Sequence, residues 1–181
     1  MPGQRSAVSP RRCCRRRRSA PPGLAARRAR SGSGTTCVRS VVVDSGFLIG
    51  LFDETDALHK RCREFLKDYR GRFLTTEAVL TEALALLSIA QQLRCLDWLA
   101  DAARAGLLEV DREPLDFRGI EKLARKYADQ PMDFADASVV LLAMRTGVRE
   151  ILTADRRDFA VYRLAGKARF LDVLASGWPH G

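Results

Sequence analysis

Residues 41–50 read VVVDSGFLIG and decide the fold class. Three β-branched residues run into an aspartate, and an apolar segment resumes after two small residues. A β-branched run of this kind predicts a buried strand that ends at Asp44. A charge beside apolar groups is costly unless it is paired, protonated or bound to a cation. The rest of the sequence should therefore supply a partner for Asp44.

Beyond this strand, short β-like runs alternate with segments of helical periodicity. Such alternation predicts right-handed crossovers and a parallel sheet covered by helices on both faces. We therefore predict an α/β fold, a three-layer sandwich around a central parallel sheet of about five strands. The predicted strands cover residues 41–44, 72–76, 107–110, 150–155 and 168–174, and the predicted helices cover residues 55–69, 77–90, 91–104, 114–129 and 134–146.

Several helix ends carry recognisable signals. Thr55 or Asp56 is a candidate N-cap for the first predicted helix. Pro114 suits the first turn of the helix that it precedes. Gly147 is expected to end the nearly all-apolar helix before it. No internal repeat interrupts this succession of elements.

Charge divides the chain into a basic arm, residues 1–37, and a body, residues 38–181. Residues 1–40 hold eleven arginines and no acidic residue, whereas residues 41–181 hold 20 basic and 22 acidic residues. The net charge of +9 therefore describes the arm, and the body has no bulk charge for RNA binding. The arm is too polar to order itself. It reads as a nucleic-acid tail, a transit peptide, or the product of a start codon placed too early, with Val38 near the true start.

Cysteine usage and hydropathy indicate a cytoplasmic protein. The five cysteines have no C-x-x-C spacing and neither histidine joins them, so we expect reduced thiols rather than a zinc site. No run of about 18 apolar residues predicts a membrane span. The arm lacks the apolar core of a secretory signal.

Two predicted strands end in aspartate, Asp44 and Asp155. Ligands of open parallel sheets bind beyond the carboxyl ends of the strands, so these carboxylates are expected at one rim. Asp136 lies on the same helical face as Val139 and Val140, inside a helix that should be buried. A lone buried aspartate most often pairs with an arginine or caps a turn. That reading weakens when two further acids point toward the same place.

A fourth acid comes from the helix after the second strand. Glu77 and Glu82 both flank its apolar arc, and the helical wheel does not choose between them. Glu77 has a structural role in the first turn, facing the helix dipole. Clustered carboxylates do not all stay ionised unaided. An all-oxygen set without His or Cys favours Mg²⁺ or Mn²⁺, and such ions act on phosphates. The residues alone thus predict a metal-dependent phosphodiesterase.

Four segments in order resemble the PIN domain, most closely the toxin of VapBC-type toxin–antitoxin pairs. The resemblance covers roughly residues 41–175 and implies that Asp44, Glu82, Asp136 and Asp155 form an acidic quartet. It implies a PIN-like nuclease domain: an endoribonuclease dependent on Mg²⁺, with Mn²⁺ as a substitute, that usually dimerises and is neutralised by a small antitoxin protein. The four segments are VVVDSG (residues 41–46), TEAVLTE (residues 76–82), MDFADASVVLLA (residues 132–143) and ILTADRRDF (residues 151–159).

Four further residues are candidates for supporting roles. Ser45 and Thr153 are placed to hydrogen-bond the carboxylates or a water, with plain strand-end capping as the alternative. Asp133 is expected to cap the helix of Asp136, and Asp158 to order its turn. His59 follows a helical pattern and is expected to be exposed.

Three functional alternatives to a toxin are a phosphatase, a housekeeping nuclease and a non-catalytic scaffold. A phosphatase with a strand-end aspartate would need a second aspartate at position 46, which is glycine. A housekeeping RNA-processing nuclease has the same residues as a toxin, and compact size favours the toxin. A non-catalytic scaffold that binds RNA or protein would have no need of four costly acids.

Overall fold

The computed structural model describes residues 39–130 and 132–176, so the predictions about the basic arm lie outside the described residues. Five parallel strands form one sheet in the order β3-β2-β1-β4-β5. The predicted α/β class and the parallel five-stranded sheet are confirmed. The strands are β1 (Ser40–Val43), β2 (Arg72–Thr75), β3 (Leu108–Val110), β4 (Glu150–Leu152) and β5 (Leu171–Asp172).

Two helices lie in each of the connections between β1 and β2, β2 and β3, and β3 and β4. The connection between β4 and β5 holds only one short helix and a single 3₁₀ turn. The chain moves outward from β1 to β3, then crosses back to β4. Right-handed crossovers therefore place the helices before β3 and those between β3 and β5 on opposite faces of the sheet. The helices are α1 (Ser45–Phe52), α2 (His59–Asp68), α3 (Glu77–Leu86), α4 (Ile89–Arg104), α5 (Phe117–Lys126), α6 (Phe134–Thr146), α7 (Arg156–Val161) and α8 (Val173–Ser176).

Strand β1 is the centre of the core. Val41, Val42 and Val43 are almost fully buried, because β2 and β4 pair with its two edges and helices cover its faces. The register sets Val42 against Leu74 on β2 and Ile151 on β4. Strands buried on both faces read as continuous apolar runs, which explains the absence of alternation in this segment.

The sheet has a topological switch point between β1 and β4. From β1 the chain continues toward β2 on one side, and from β4 it continues toward β5 on the other. A crevice opens at such a point beyond the carboxyl ends of the two strands. Asp44 follows β1 and Thr153 follows β4, so both lie at this crevice.

Helix α1 was not anticipated, although it begins directly after the decisive strand. Its residues are apolar on nearly every side, and most are buried against α2, α3 and α4. A helix enclosed in this way loses the alternation between apolar and polar faces from which helices are recognised. The short helices α7 and α8 were missed for lack of length.

Two predicted helix starts are wrong. Helix α2 begins at His59 rather than near Thr55, because the Asp56 carboxylate accepts the Leu58 N–H at 2.6 Å and forms a turn first. Helix α5 begins at Phe117 with Asp116 as its N-cap, and the Asp116 carboxylate accepts the Gly119 N–H at 2.8 Å. Pro114 lies before this helix, not in its first turn.

Other boundaries shift by a few residues. The break between α3 and α4 falls at Leu87 and Ser88 rather than after residue 90, and the Ser88 N–H donates to the Gln91 side chain at 2.7 Å. Strand β4 ends at Leu152, three residues before the predicted end. Strand β5 covers only Leu171–Asp172, because the chain turns into α8 at once. The predicted end of α6 at Gly147 is confirmed, with Gly147 at φ +76°.

Helix length and hydropathy argue against a membrane span in this part of the chain. No helix within the described ranges is both long and apolar enough to cross a bilayer.

Candidate functional site

Asp44 is the most deeply buried acid at the switch point. It follows β1 immediately, and its backbone N–H extends the sheet pairing by donating to the Leu152 carbonyl at 3.0 Å. Only 4% of the residue is exposed. The Thr153 hydroxyl donates to its Oδ2 atom at 2.8 Å. None of the ion pairs among the described residues includes Asp44.

Burial raises the pKa of Asp44 to about 6. The hydrogen bond from Thr153 lowers it, as does the Ser45 backbone N–H, while the negative charge of Glu82 raises it further. Desolvation therefore outweighs the hydrogen bonds. Hydrogen bonds hold the carboxylate in place, and no cation of residues 39–130 or 132–176 forms an ion pair with it.

Asp136 lies in the first turn of α6 and is half-buried. The helix buries most of its other positions, as predicted. The Tyr162 hydroxyl donates to Asp136 Oδ2 at 3.0 Å. Burial, then the charge of Asp133, raises the pKa of Asp136 to about 7, and the charge of Asp44 contributes in the same direction. Neither an arginine partner nor a cap accounts for this acid in the part of the chain that the structure describes.

The structure separates Glu82 from Glu77. Glu77 is exposed in the first turn of α3. Glu82 is partly buried one and a half turns later, where burial raises its pKa and the Ser45 hydroxyl lowers it by hydrogen bonding. The pKa of Glu82 also rises because Asp133 hydrogen-bonds and repels it.

Asp133 stands between these groups. It caps α6 as expected, since its Oδ1 atom accepts the Asp136 N–H at 2.7 Å. Its charge raises the pKa values of Glu82, Asp136 and Asp158. Asp133 therefore connects the carboxylates of three elements.

Asp155 lies further out than its predicted place at the end of a strand. It is exposed, and its Oδ1 atom accepts the Asp158 N–H at 3.3 Å at the start of α7. Its charge raises the pKa of Asp158, for which burial is the larger cause. Because β4 stops at Leu152, Thr153 rather than Asp155 faces Asp44 across the sheet. Thr153 links the two, since its hydroxyl oxygen also accepts the Asp155 N–H at 2.9 Å.

Buried hydroxyl groups hold the elements of the site together. Thr76 caps α3 by accepting the Val79 N–H at 3.2 Å, and its hydroxyl shares a 2.7 Å hydrogen bond with that of Ser138 on α6. The Thr75 hydroxyl donates to the Val43 carbonyl at 3.1 Å. These contacts tie the helices of Glu82 and Asp136 to the end of β1.

Sequence reasoning missed Tyr162 and the pairing of Thr76 with Ser138. The Thr76 cap had a local signal, a threonine directly before a helix. Tyr162 had none, because it lies 26 residues from Asp136 in a segment without a periodic pattern. His59, expected to be exposed, is instead half-buried and bonds through Nδ1 with the Gly50 carbonyl at 3.0 Å.

Gly46 permits the close approach of α1 to the end of β4. A Cβ atom at this position would lie 2.6 Å from the Cβ of Ala154 and 3.0 Å from its backbone nitrogen. A larger residue would therefore push Asp44 away from Thr153. The glycine two residues after Asp44 is therefore a packing requirement of the site.

A cavity of about 1010 Å³ opens beside these acids, between α3, the loop before α5, and α6. Glu82 and Asp133 belong to its wall, which carries six acidic side chains but only two arginines, Arg112 and Arg145. Arg145 is already paired with Asp111 at 2.5 Å. The wall therefore carries a net negative charge, which does not favour binding of a polyanion.

The donor set fits a hard divalent cation in its chemistry. It offers only carboxylate and hydroxyl oxygens, with buried acids that lack a cation partner among the described residues. As the side chains stand in residues 39–130 and 132–176, no three acidic, His or Cys groups converge closely enough to hold an ion. Asp44, Glu82 and Asp136 are electrostatic neighbours, whereas Asp155 reaches them only through Thr153 and Asp158.

Comparison with known proteins identifies a family, a relative and a solved structure to which this chain is similar. The family model described as the PIN domain matches residues 41–165. Ribonuclease VapC26 of Mycobacterium tuberculosis (strain ATCC 25618 / H37Rv) is 28% identical over 138 residues, which cover 72% of this chain and 97% of that protein. The crystal structure of Mycobacterium tuberculosis VapC20, a toxin that cleaves the sarcin–ricin loop, aligns with a TM-score of 0.51. It is 21% identical, and the alignment covers 65% of this chain and 91% of that chain.

Proposed function

The chain belongs to the PIN-domain family, and from this premise we propose that it is a metal-dependent endoribonuclease, the toxin of a toxin–antitoxin pair. One observation carries the proposal. Asp44 is buried and Asp136 half-buried, both have raised pKa values, and neither has a cation partner in the described structure. The similarity to a protein named ribonuclease VapC26 supports the reaction class.

Asp44, Glu82, Asp136 and Asp155 are the proposed ligands of Mg²⁺, with Mn²⁺ as a substitute. When bound, such an ion supplies positive charge that offsets the carboxylates, activates water and stabilises charge on the attacked phosphodiester. Small side-chain rotations would be required to bring the acids together. The stored repulsion between Asp44, Glu82 and Asp136 favours any arrangement in which a cation enters.

The chain's own residues keep this donor set ready. Thr153 fixes Oδ2 of Asp44, and Ser45 donates to Glu82. Asp133 holds α6 at its first turn by accepting the Asp136 N–H, and its negative charge adds to the repulsion that a bound cation would offset. Asp158 and Asp155 hold the start of α7 at the outer edge.

The first experiment measures cleavage of a labelled RNA by the purified chain with Mg²⁺, with Mn²⁺ and with chelator. We expect metal-dependent internal cleavage that the Asp44→Asn variant loses while its circular dichroism stays native. Glu77→Gln is the matched control, since it removes an exposed acid from the helix that carries Glu82. Undiminished cleavage by Asp44→Asn would refute the assignment.

A neutralising partner is expected because a free ribonuclease would harm its own cell. An acid-lined pocket that accepts cations also accepts an arginine or lysine side chain. We propose that a small antitoxin protein places such a side chain among Asp44, Asp136 and Asp155, through a segment that folds on binding. We also propose that the chain acts in the cytoplasm as a homodimer, which size-exclusion chromatography with light scattering tests.

Growth assays distinguish the toxin from a housekeeping RNA-processing nuclease. Expression of the chain alone should slow growth, and the Asp44→Asn form should not. Co-expression with the product of an adjacent small gene should restore growth and yield a co-purifying complex. Harmless overexpression without such a neighbour would remove the toxin role and leave the nuclease.

A further inference from the structure

Tyr162 is the only side chain within the described residues that donates a hydrogen bond to the Asp136 carboxylate. Its hydroxyl lies 3.0 Å from Oδ2. The two residues belong to different elements, since Asp136 is in α6 and Tyr162 follows α7. The contact therefore joins the ends of two helices at the rim of the site.

The tyrosine is held rigidly from all sides. None of its surface is exposed. Its ring makes edge contacts with Phe159 at 5.3 Å and with Tyr127 at 5.1 Å between centroids. Its backbone N–H donates to the Asp158 carbonyl at 3.3 Å, which closes the last turn of α7. A donor fixed in this way has one position to offer the carboxylate.

The same residue connects the two ends of the acidic set. Asp155 is the N-cap of α7, and Tyr162 is its C-cap. Because Tyr162 also bonds to Asp136, it sets where α7 lies relative to α6. The Tyr162 hydroxyl is a phenol, which can donate a hydrogen bond to a carboxylate oxygen. Residues that orient metal ligands in this manner strongly affect metal affinity.

We propose that Tyr162 is a positioning residue, whose hydroxyl fixes the orientation of the Asp136 carboxylate for binding a divalent cation. The inference rests on the proposed function only through the role of Asp136 as a ligand. It assigns no contact between Tyr162 and the substrate.

Tyr127 offers a matched control within the same aromatic cluster. It is buried, contacts the Tyr162 ring, and uses its hydroxyl to accept the Arg163 N–H at 2.9 Å. No hydrogen bond connects its hydroxyl with an acid of the site in the described structure. Tyr127→Phe and Tyr162→Phe thus each remove one buried hydroxyl, but only the second removes it from Asp136.

The test is a titration of the full chain with Mn²⁺ in the absence of RNA, by calorimetry and by the rise in melting temperature. We expect Tyr162→Phe to weaken Mn²⁺ binding by about 10-fold and Tyr127→Phe to leave it unchanged. In an Asp136→Asn background, Tyr162→Phe should cause no further loss. At saturating Mn²⁺, RNA cleavage by Tyr162→Phe should recover most of the wild-type rate.

Wild-type Mn²⁺ affinity in Tyr162→Phe, or an equal loss in Tyr127→Phe, would overturn the inference. A loss that persists in the Asp136→Asn background would do the same, because it would be a general effect of packing. If Tyr162→Phe folds poorly, the wild-type chain and the Asp136→Asn variant still test whether Asp136 is a ligand. Equal Mn²⁺ affinity in these two proteins would show that it is not, and would overturn the inference. Mn²⁺ binding without RNA cleavage would refute the proposed function and leave this inference standing.

Discussion

The acids at the rim of the sheet fall into two groups that differ in their hydrogen-bond partners. The inner acids are Asp44, which is buried, and Asp136, which is half-buried; both accept hydrogen bonds from side-chain hydroxyls and have raised pKa values. The outer acids, Asp155 and Asp158, lie at the start of α7, where the Asp155 carboxylate accepts a backbone N–H. Burial, not the number of neighbouring charges, is the first cause of the raised pKa at each inner acid.

This difference indicates how a site can favour cation binding although its ligands do not yet converge. The inner acids carry an unfavourable free energy of desolvation that a cation would remove. Asp155, in contrast, is exposed, so its charge stays solvated without a cation. We therefore expect the two groups to contribute unequally to cleavage, to stability and to metal binding.

The largest expected effect is on cleavage by inner and outer variants. Asp136→Asn should lower the single-turnover rate by about 1,000-fold, or about 4 kcal/mol of barrier. Asp155→Asn should lower it by only about 10-fold, and its stability should hold because asparagine caps a helix as well as aspartate. Equal losses of rate would show that the inner and outer acids contribute equally to cleavage, and that binding of the cation or the RNA draws Asp155 inward.

The pH dependence of stability is the next largest effect. The folded pKa of Asp44 is raised to about 6 from an ordinary value of 3.8. Below pH 4 this shift contributes about 3 kcal/mol to the free energy of unfolding relative to neutral pH, because between pH 4 and pH 6 the folded state keeps a proton that the unfolded state has released. The contribution is lost as pH rises through 6, and that of Asp136 as pH rises through 7.

Urea denaturation with chelator present measures this dependence. Wild-type stability should fall between pH 4 and pH 7 and then level off. Asp44→Asn should show a shallower fall, whereas Asp155→Asn should follow the wild type. A wild-type curve that rises over this interval would contradict the assignment of the inner acids as destabilised anions.

Metal addition should partly reverse this loss. At neutral pH, Mg²⁺ or Mn²⁺ at ten times its dissociation constant should stabilise the wild type by about 1.4 kcal/mol through mass action. The rise in melting temperature should be smaller in Asp44→Asn and Asp136→Asn. An identical response in the wild type and both variants would place the ions elsewhere.

The smallest expected effect concerns the basic arm. Deleting residues 1–37 should leave the melting temperature and metal-dependent cleavage unchanged, since β1 begins at Ser40. If the arm binds RNA, deletion should weaken non-specific binding and flatten its salt dependence. Loss of folding on deletion would show that the arm belongs to the folded domain.

Much of the fold could be predicted from the sequence because its strands and long helices have strong local signals. The β-branched run before Asp44 and the apolar helix around Asp136 are examples, and both lie where the pattern indicates. Helix α1 shows the limit of such signals. A segment buried by three other helices is apolar throughout and gives no period from which to recognise it.

The candidate site was predicted unevenly for the same reason. The sequence identifies acids that are costly to bury, and the PIN resemblance selects among them. It does not show which of them are buried. Asp155 was placed at a strand end because the run of residues 150–155 reads as one strand, but the chain leaves the sheet at Thr153 and begins a helix.

The sequence by itself determined the α/β class, the parallel sheet and the acidic residues at its rim, because periodicity and the residue types at strand ends are local features of the sequence. Only the tertiary structure decided that Thr153 and Tyr162 hold the two inner acids, over separations of 109 and 26 residues. Such contacts depend on how β1 pairs with β4 and how α7 packs against α6. The burial that raises the pKa of Asp44 and Asp136 is likewise a property of the assembled layers, since it is created by residues distant along the chain.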